Sequence, residues 1–296
     1  MLTQEQIDDH VKAGKIAAEA LQYGKSMIKP GGKVIEVLDK VEAKILELGG
    51  GIAFPAQISL NEFAAHSCSD INDKTVFDKQ IVKLDVGAHV NGRIADNALT
   101  VGLSGEHEDL IKASREALDN VLKEIKIGMT LSEIGKIVQE TIESYGFKPV
   151  RNLSGHGLGN FNIHVSPSIP NFENGSNFKL EEGMVIAIEP FASSGAGMIK
   201  EKGEASVFTL RDDVNVRDPI TRKVLGTIRK YKGLPFAKRW LEKEFGEKKT
   251  AFALRRLKFS GALTAHKPLA DASSGMVSQA EHSVIILEKP IVFTRI

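Results

Sequence analysis

Three acidic residues occupy runs that otherwise read as β-strand. In "IVKLDVGAHVNGRIADNALTV", residues 81–101, Asp85 and Asp96 interrupt apolar stretches, and aspartate is depleted in strands. Glu189 in "VIAIEP" does the same. Asn91-Gly92 is a strong signal for a two-residue type I′ turn. With that loop, Asp85 faces Ala98 and Asp96 faces Gly87, so both carboxylates share one face as diagonal neighbours about 7–8 Å apart. Two bare anions repel there, whereas divalent cations between them would reverse the sign. His156 in the glycine-rich "SGHGLG" and Glu281 in "QAEHSVII" complete a candidate ligand set. An oxygen-rich set with one imidazole suits Mn(II), Fe(II), Co(II) or Zn(II) better than a thiolate site does. For any one aspartate the alternative is exposure, or a bond to nearby backbone.

The elements that must position these residues come in two similar sets. Thr3 and Gln6 form a capping box that opens a helix to about residue 28. A second helix follows "KPGGK", with Val34, Val37, Leu38, Val41, Ile45 and Leu48 at helical spacing, and "GGG" at 49–51 ends it. A third runs from about 106 to 125; Thr130 and Glu133 cap a fourth, which Gly146 stops. Residues 28–50 align with 125–147: Ile28, Lys29, Gly31, Glu36, Val41, Ile45 and Gly49 match Ile125, Lys126, Gly128, Glu133, Val138, Ile142 and Gly146. His66 in "AAHS" and His164 in "NIHV" lie at nearly the same offset. The pattern implies an α+β chain of two helix-helix-sheet halves facing a shared centre. Residues 184–193 and 279–296 read as strands, and 212–272 as a helical insertion. The expected division is therefore 1–211 with 273–296, interrupted by 212–272.

Of 296 residues, 42% are apolar and 26% charged, with a net charge of +1, as in ordinary globular proteins. The single cysteine, Cys68, excludes an intramolecular disulfide and reads as a small buried residue rather than a nucleophile. No apolar run approaches a membrane span, and the polar start is unlike a signal peptide, so the expected location is the cytoplasm. Charge is uneven: residues 211–258 hold 15 Lys and Arg against 6 Asp and Glu, leaving 24 against 32 elsewhere. His10, His89 and His107 read as surface residues, and His282 should point away from its neighbour Glu281. "GHGLGN" fits no phosphate-loop pattern.

The motifs "KLDVGAHVNGRIADNA", "GHGLGNFNIH", "AIEPFAS" and "QAEHSVII", in that order, resemble those of the type 2 methionine aminopeptidases, metallopeptidases of the pita-bread fold. The resemblance spans essentially the whole chain, and the insertion with "GLPFAKRWL" looks like the feature separating type 2 from type 1. It implies that Asp85, Asp96, His156, Glu189 and Glu281 hold two divalent ions, Co, Mn, Fe or Zn. Asp96 and Glu281 would bridge them, Asp85 would belong to one, and His156 with Glu189 to the other. It implies catalytic roles for His66, His164 and Glu189: Glu189 passes the water proton to the leaving amine, and the histidines donate hydrogen bonds to the reacting amide. Phe54, Ile163 and Phe191 match the pocket for the methionine side chain. The family pattern leads us to expect tyrosine near 266, where this chain has His266, so the outer pocket wall differs.

The implied substrates are the N-termini of nascent chains that begin with methionine, preferably before a small second residue. The implied form is a monomer with no DNA or membrane partner. Two alternatives stay open. A prolidase or Xaa-Pro aminopeptidase shares the fold and ligands but ordinarily carries an added N-terminal domain, for which a helix starting near residue 3 leaves no room. A non-catalytic RNA-binding relative would use the basic segment, but all five ligand positions are filled here. An active enzyme whose insertion touches the ribosome combines both.

Overall fold

The computed structural model describes residues 2–295. In the first half, helices α1 (Gln4–Met27) and α2 (Val34–Glu47) cover an antiparallel sheet in the order Gly51–Leu60, Ile81–Val90, Arg93–Gly102. Thr3 caps α1 through the expected box with Gln6. The apolar stripe of α2, Val34, Val37, Leu38, Val41 and Ile45, is buried against α1 and the strand Gly51–Leu60, in one core with Leu84, Val86 and Ile94. Burying each such side chain contributes roughly 1.5–3 kcal/mol, which is why the 3.6-residue period survives as a helix.

The second half repeats the plan. Helices α3 (Glu108–Glu124) and α4 (Leu131–Ser144) cover a five-stranded sheet in the order Ile291–Val292, His282–Ile285, Val185–Ile188, Ser154–Gly159, Asn162–Pro170. Its own core includes Leu118, Val121, Ile134, Val138, Ile142, Ile186 and Val284. The halves match in their hydrogen bonds as well as in sequence. Gly31 N–H donates to Phe77 and Phe77 N–H to Gly32; equivalently, Gly128 N–H donates to Leu180 and Leu180 N–H to Met129. Val34 N–H binds the Thr75 carbonyl as Leu131 N–H binds that of Phe178. In both halves the same tight turn before the second helix is clamped by the segment that follows.

Two of the expected strands are broken, and the breaks matter. The run 184–193 splits into Val185–Ile188 and Phe191–Ser193, which belong to different sheets. Pro190 has no N–H to give to a ladder, so the chain leaves the sheet at Glu189. The run 279–296 divides into Val277–Gln279, His282–Ile285 and Ile291–Val292, with Glu281 in an isolated bridge to Ala98.

The basic segment contributes α5 (Pro219–Arg229), α6 (Lys238–Phe245) and α7 (Glu247–Phe259). It is not wholly helical. Phe236–Ala237 and Leu263–His266 flank Val207–Leu210 in a small sheet, and a separate core forms around Phe208, Leu225, Phe236, Leu241, Leu254 and Leu257. The alternation in "GALTAHKPLAD" was the available strand signal for Leu263–His266. Among the described residues no helix is long and apolar enough to cross a membrane.

Candidate metal centre

Asn91 and Gly92 take the positive φ angles, 49° and 84°, that a type I′ turn needs. The hairpin register follows from it: Asp85 pairs with Ala98 and Gly87 with Asp96. Both carboxylates therefore leave the sheet on one face. Gly87 also lets an aromatic wall approach. Phe54 pairs across from it, and a Cβ at position 87 would lie 2.1 Å from Cε1 of the Phe54 ring.

Phe54, His66, Asp85, Asp96, His156, Ile163, His164, Glu189, Phe191, His266 and Glu281 all line one cavity of about 220 Å³. Its floor is acidic. Asp96, His156 and Glu281 present ligand atoms within 4.8 Å of one another. His156 Nε2 lies 3.6 Å from Asp96 Oδ2 and 3.7 Å from Glu189 Oε1. Nδ1 of His156 is 3.2 Å from the Gly157 carbonyl. A carbonyl only accepts, so that bond places the proton on Nδ1 and aims the Nε2 lone pair at two carboxylates. Burial lowers this imidazole to about 3, so it does not become the missing cation.

The carboxylates are equally unbalanced. Burial pushes Asp85 up to about 7, and it raises Asp96, Glu189 and Glu281 well above the usual carboxylate range, with mutual repulsion adding to the effect in these three. Asp85 Oδ1, Asp96 Oδ1 and Glu281 Oε1 are buried without a hydrogen-bond partner. An unpaired buried polar oxygen costs about 1–3 kcal/mol, and a charged one more. A lone pair on nitrogen and several orphaned oxygens converging on one point fit hard or borderline divalent cations.

The remaining walls differ in character. Burial lowers His66 to about 4, with the His266 ring 5.7 Å away adding to the shift, so His66 is a neutral donor at pH 7. His164 is lowered by burial and then by His266, and its ring lies edge-on to His156 at 4.5 Å. His266 is held by Thr209, with Nε2 2.8 Å from Oγ1. Phe54, Ile163 and Phe191 are buried and line the apolar side with Leu153, Val207 and Pro235.

Sequence reasoning missed several polar residues here, among them Asn152 and Ser154 of the cavity lining, Gln57 and Gln279. Gln279 Nε2 lies 3.4 Å from Glu189 Oε2. Gln57 lines the cavity, and its Oε1 accepts from His66 N–H at 2.7 Å, holding a residue whose φ is 62°. A glutamine inside the apolar run "FPAQISL" was the available signal for Gln57. His10 departs from expectation: it is buried, with Nδ1 3.0 Å from the Ile94 carbonyl beneath the hairpin. His89 and His107 are half-buried. His282 faces away from the cavity and bonds Thr294 Oγ1 at 3.0 Å.

Comparison with known proteins agrees with this chemistry. Residues 8–218 match the profile of metallopeptidase family M24. A methionine aminopeptidase of Methanocaldococcus jannaschii is 44% identical over 286 residues, covering 96% of each chain. Methionine aminopeptidase 2 of Schizosaccharomyces pombe is 35% identical over 95% of this chain and 71% of its own. The crystal structure of a Thermotoga maritima methionine aminopeptidase superposes with a TM-score of 0.74 at 26% identity, covering 100% of this chain and 98% of that one. The chain belongs to metallopeptidase family M24 and, within it, to the type 2 methionine aminopeptidases.

Proposed function

We propose that this cavity cleaves the peptide bond after an N-terminal methionine, with preference for a small second residue. Asp85, Asp96, His156, Glu189 and Glu281 hold two divalent ions in this reading, and Mn(II), Fe(II), Co(II) and Zn(II) all suit the donor set. The observation that carries it is the His156 Nε2 lone pair facing Asp96 and Glu189 among carboxylates whose buried oxygens, on Asp85, Asp96 and Glu281, have no hydrogen-bond partner among the described residues. When bound, such ions supply a Lewis acid for the scissile carbonyl and acidify the attacking water.

The chain's own residues supply the rest. Glu189 faces the cavity with Oε1 3.7 Å from His156 Nε2, which places its carboxylate to pass a proton from water to the leaving amine. Neutral His66 and His164 each keep one N–H to donate to the reacting amide. The apolar wall of Phe54, Ile163 and Phe191 accepts an unbranched thioether. His266, with Thr209 behind it, forms the outer wall where the second residue would lie.

A peptide panel tests the assignment. With each metal in turn, methionine release from Met-Ala-Ser and no alanine release from Ala-Pro-Ser is the expected result. The reverse pattern would move the site to Xaa-Pro hydrolysis.

A second reading concerns the insertion, which we take as a subdomain over 212–272. Phe259 is 94% exposed beside Phe252, Arg217, Arg255 and Arg256. Exposed aromatics among arginines suit stacked bases and phosphates, and so a contact with ribosomal RNA. Salt-sensitive co-sedimentation with ribosomes is expected, and no binding at low salt would remove this reading while leaving the peptidase intact.

A further inference from the structure

Asp96 and Glu281 come from opposite halves of the molecule, yet their ligand atoms lie within 4.8 Å of each other and of His156. No continuous ladder joins their strands. The backbone link is a single bridge, with Glu281 N–H donating to the Ala98 carbonyl at 3.0 Å. At Asp96 a side chain takes the place of a strand. Ser283 Oγ accepts from Asp96 N–H at 2.9 Å and donates to the Asp96 carbonyl at 2.8 Å.

Ser283 pairs with Ala187 in its sheet and is held from behind by Phe293 and Thr294. Its N–H donates to Thr294 Oγ1 at 3.0 Å, and its carbonyl accepts from Phe293 N–H at 3.2 Å. Thr294 Oγ1 also lies 3.0 Å from His282 Nδ1, and the Thr294 carbonyl accepts from Asn97 Nδ2 at 3.2 Å. Asn97 and His282 are the sequence neighbours of Asp96 and Glu281. Strand alternation turns them away from the cavity while their neighbours face into it. Thr294 therefore grips the back of both ligand strands. Ser283, Thr294, Asn97 and His282 are all buried, and none lines the cavity.

We propose that the Thr294 hydroxyl on the Ser283 N–H, together with the Ser283 hydroxyl on the Asp96 backbone, is the positioning device that fixes Asp96 against Glu281, and so sets the affinity of the central site for divalent ions. This rests on the metal-site reading above. Groups behind metal ligands typically change affinity 10–100-fold when removed. Thr294→Val keeps shape and loses the hydroxyl. Thr294→Ser keeps the hydroxyl. Ser283→Ala removes a single oxygen and tests the second link if the Val variant does not fold.

The test is a calorimetric titration of Mn(II) into the metal-free full chain, with thermal melting and Met-Ala-Ser kinetics alongside. Thr294→Val and Ser283→Ala should weaken Mn(II) binding about 10–100-fold, and Thr294→Ser should stay within about threefold of the parent. KM for the peptide at saturating Mn(II) should not move. A merely structural role would lower the melting temperature and leave the Mn(II) affinity alone. Parental Mn(II) affinity in a folded Thr294→Val or Ser283→Ala variant would overturn the proposal. A parent chain that binds no Mn(II) would instead overturn the metal site itself, and this inference with it.

Discussion

Glu42 and Asp96 are both buried carboxylates, one at the junction between α2 and the inserted helices and the other in the central cavity. Around Glu42 every need is met from within the chain. Arg239, fully buried on α6, and Trp240 Nε1 donate to it, and Ala56 N–H donates at 3.1 Å. Burial raises its carboxyl, while Arg239 and Trp240 pull against the rise. Arg239 also reaches Asp39 and the Cys68 sulfur, a half-buried thiol that desolvation pushes up to about 12. Around Asp96 nothing comparable is present among the described residues: the neighbours are Asp85, Glu189, Glu281 and a lone pair of His156. Asp271 makes a third case. Despite burial, Ala196, Ser193, Ser273 and Gly275 hold its carboxyl down to about 2 with hydrogen bonds. A buried acid that the chain neutralises is architecture. One that the chain leaves unneutralised marks where a cation must come from outside.

That contrast predicts opposite signs for similar substitutions. Asp96→Asn should lower kcat/KM at least about 10³-fold, since loss of several kcal/mol of metal-derived stabilisation is at stake. The same change should leave the metal-free chain as stable as the parent or about 1–2 kcal/mol more so, because one buried like charge is gone. Peptide kinetics and urea unfolding measure the two halves. At the junction, Arg239→Met should cost about 3–5 kcal/mol in urea unfolding, because Glu42 is left buried and unpaired. Adding Glu42→Leu should recover part of the loss, and a double-mutant cycle would show the coupling.

A third group sharpens the comparison through pH. Burial lowers His10 to about 4 from an ordinary 6.5. The unfolded chain binds a proton below pH 6.5 that the folded chain refuses until about pH 4. Stability is therefore full above pH 6.5 and lost as pH falls toward 4, by about 3 kcal/mol from this one group. His10→Asn keeps a donor for the Ile94 carbonyl and should flatten that slope in unfolding curves at pH 5 and 7. The smallest effect belongs to an exposed pair of the same chemistry as Arg239 and Glu42. Lys33 and Glu36 lie 3.0 Å apart with both side chains more than half exposed. Lys33→Ala should change stability by less than about 0.5 kcal/mol.

Much of this was legible in the residues because local rules decided it. Asn91-Gly92 admits one tight turn, and the register of Asp85 and Asp96 follows by counting. The capping boxes at Thr3 and Thr130 formed as their spacing required. Pro190, with no N–H for a ladder, also marks locally where the run 184–193 breaks. What local rules do not decide stayed hidden. The strand Leu263–His266 exists because Val207–Leu210 is there to pair with it, across more than fifty residues. His10 is buried because α1 lies over the hairpin carrying Ile94, a contact 84 residues apart in sequence. The Thr294 contacts behind the cavity span 11 to 197 residues and leave no local mark.

The most direct test follows methionine release from Met-Ala-Ser as Mn(II) is added to the metal-free chain. No release without metal, release that saturates with Mn(II), and its loss in Asp96→Asn are expected. Undiminished release in the presence of a strong chelator would contradict the assignment of those buried carboxylates to a metal centre.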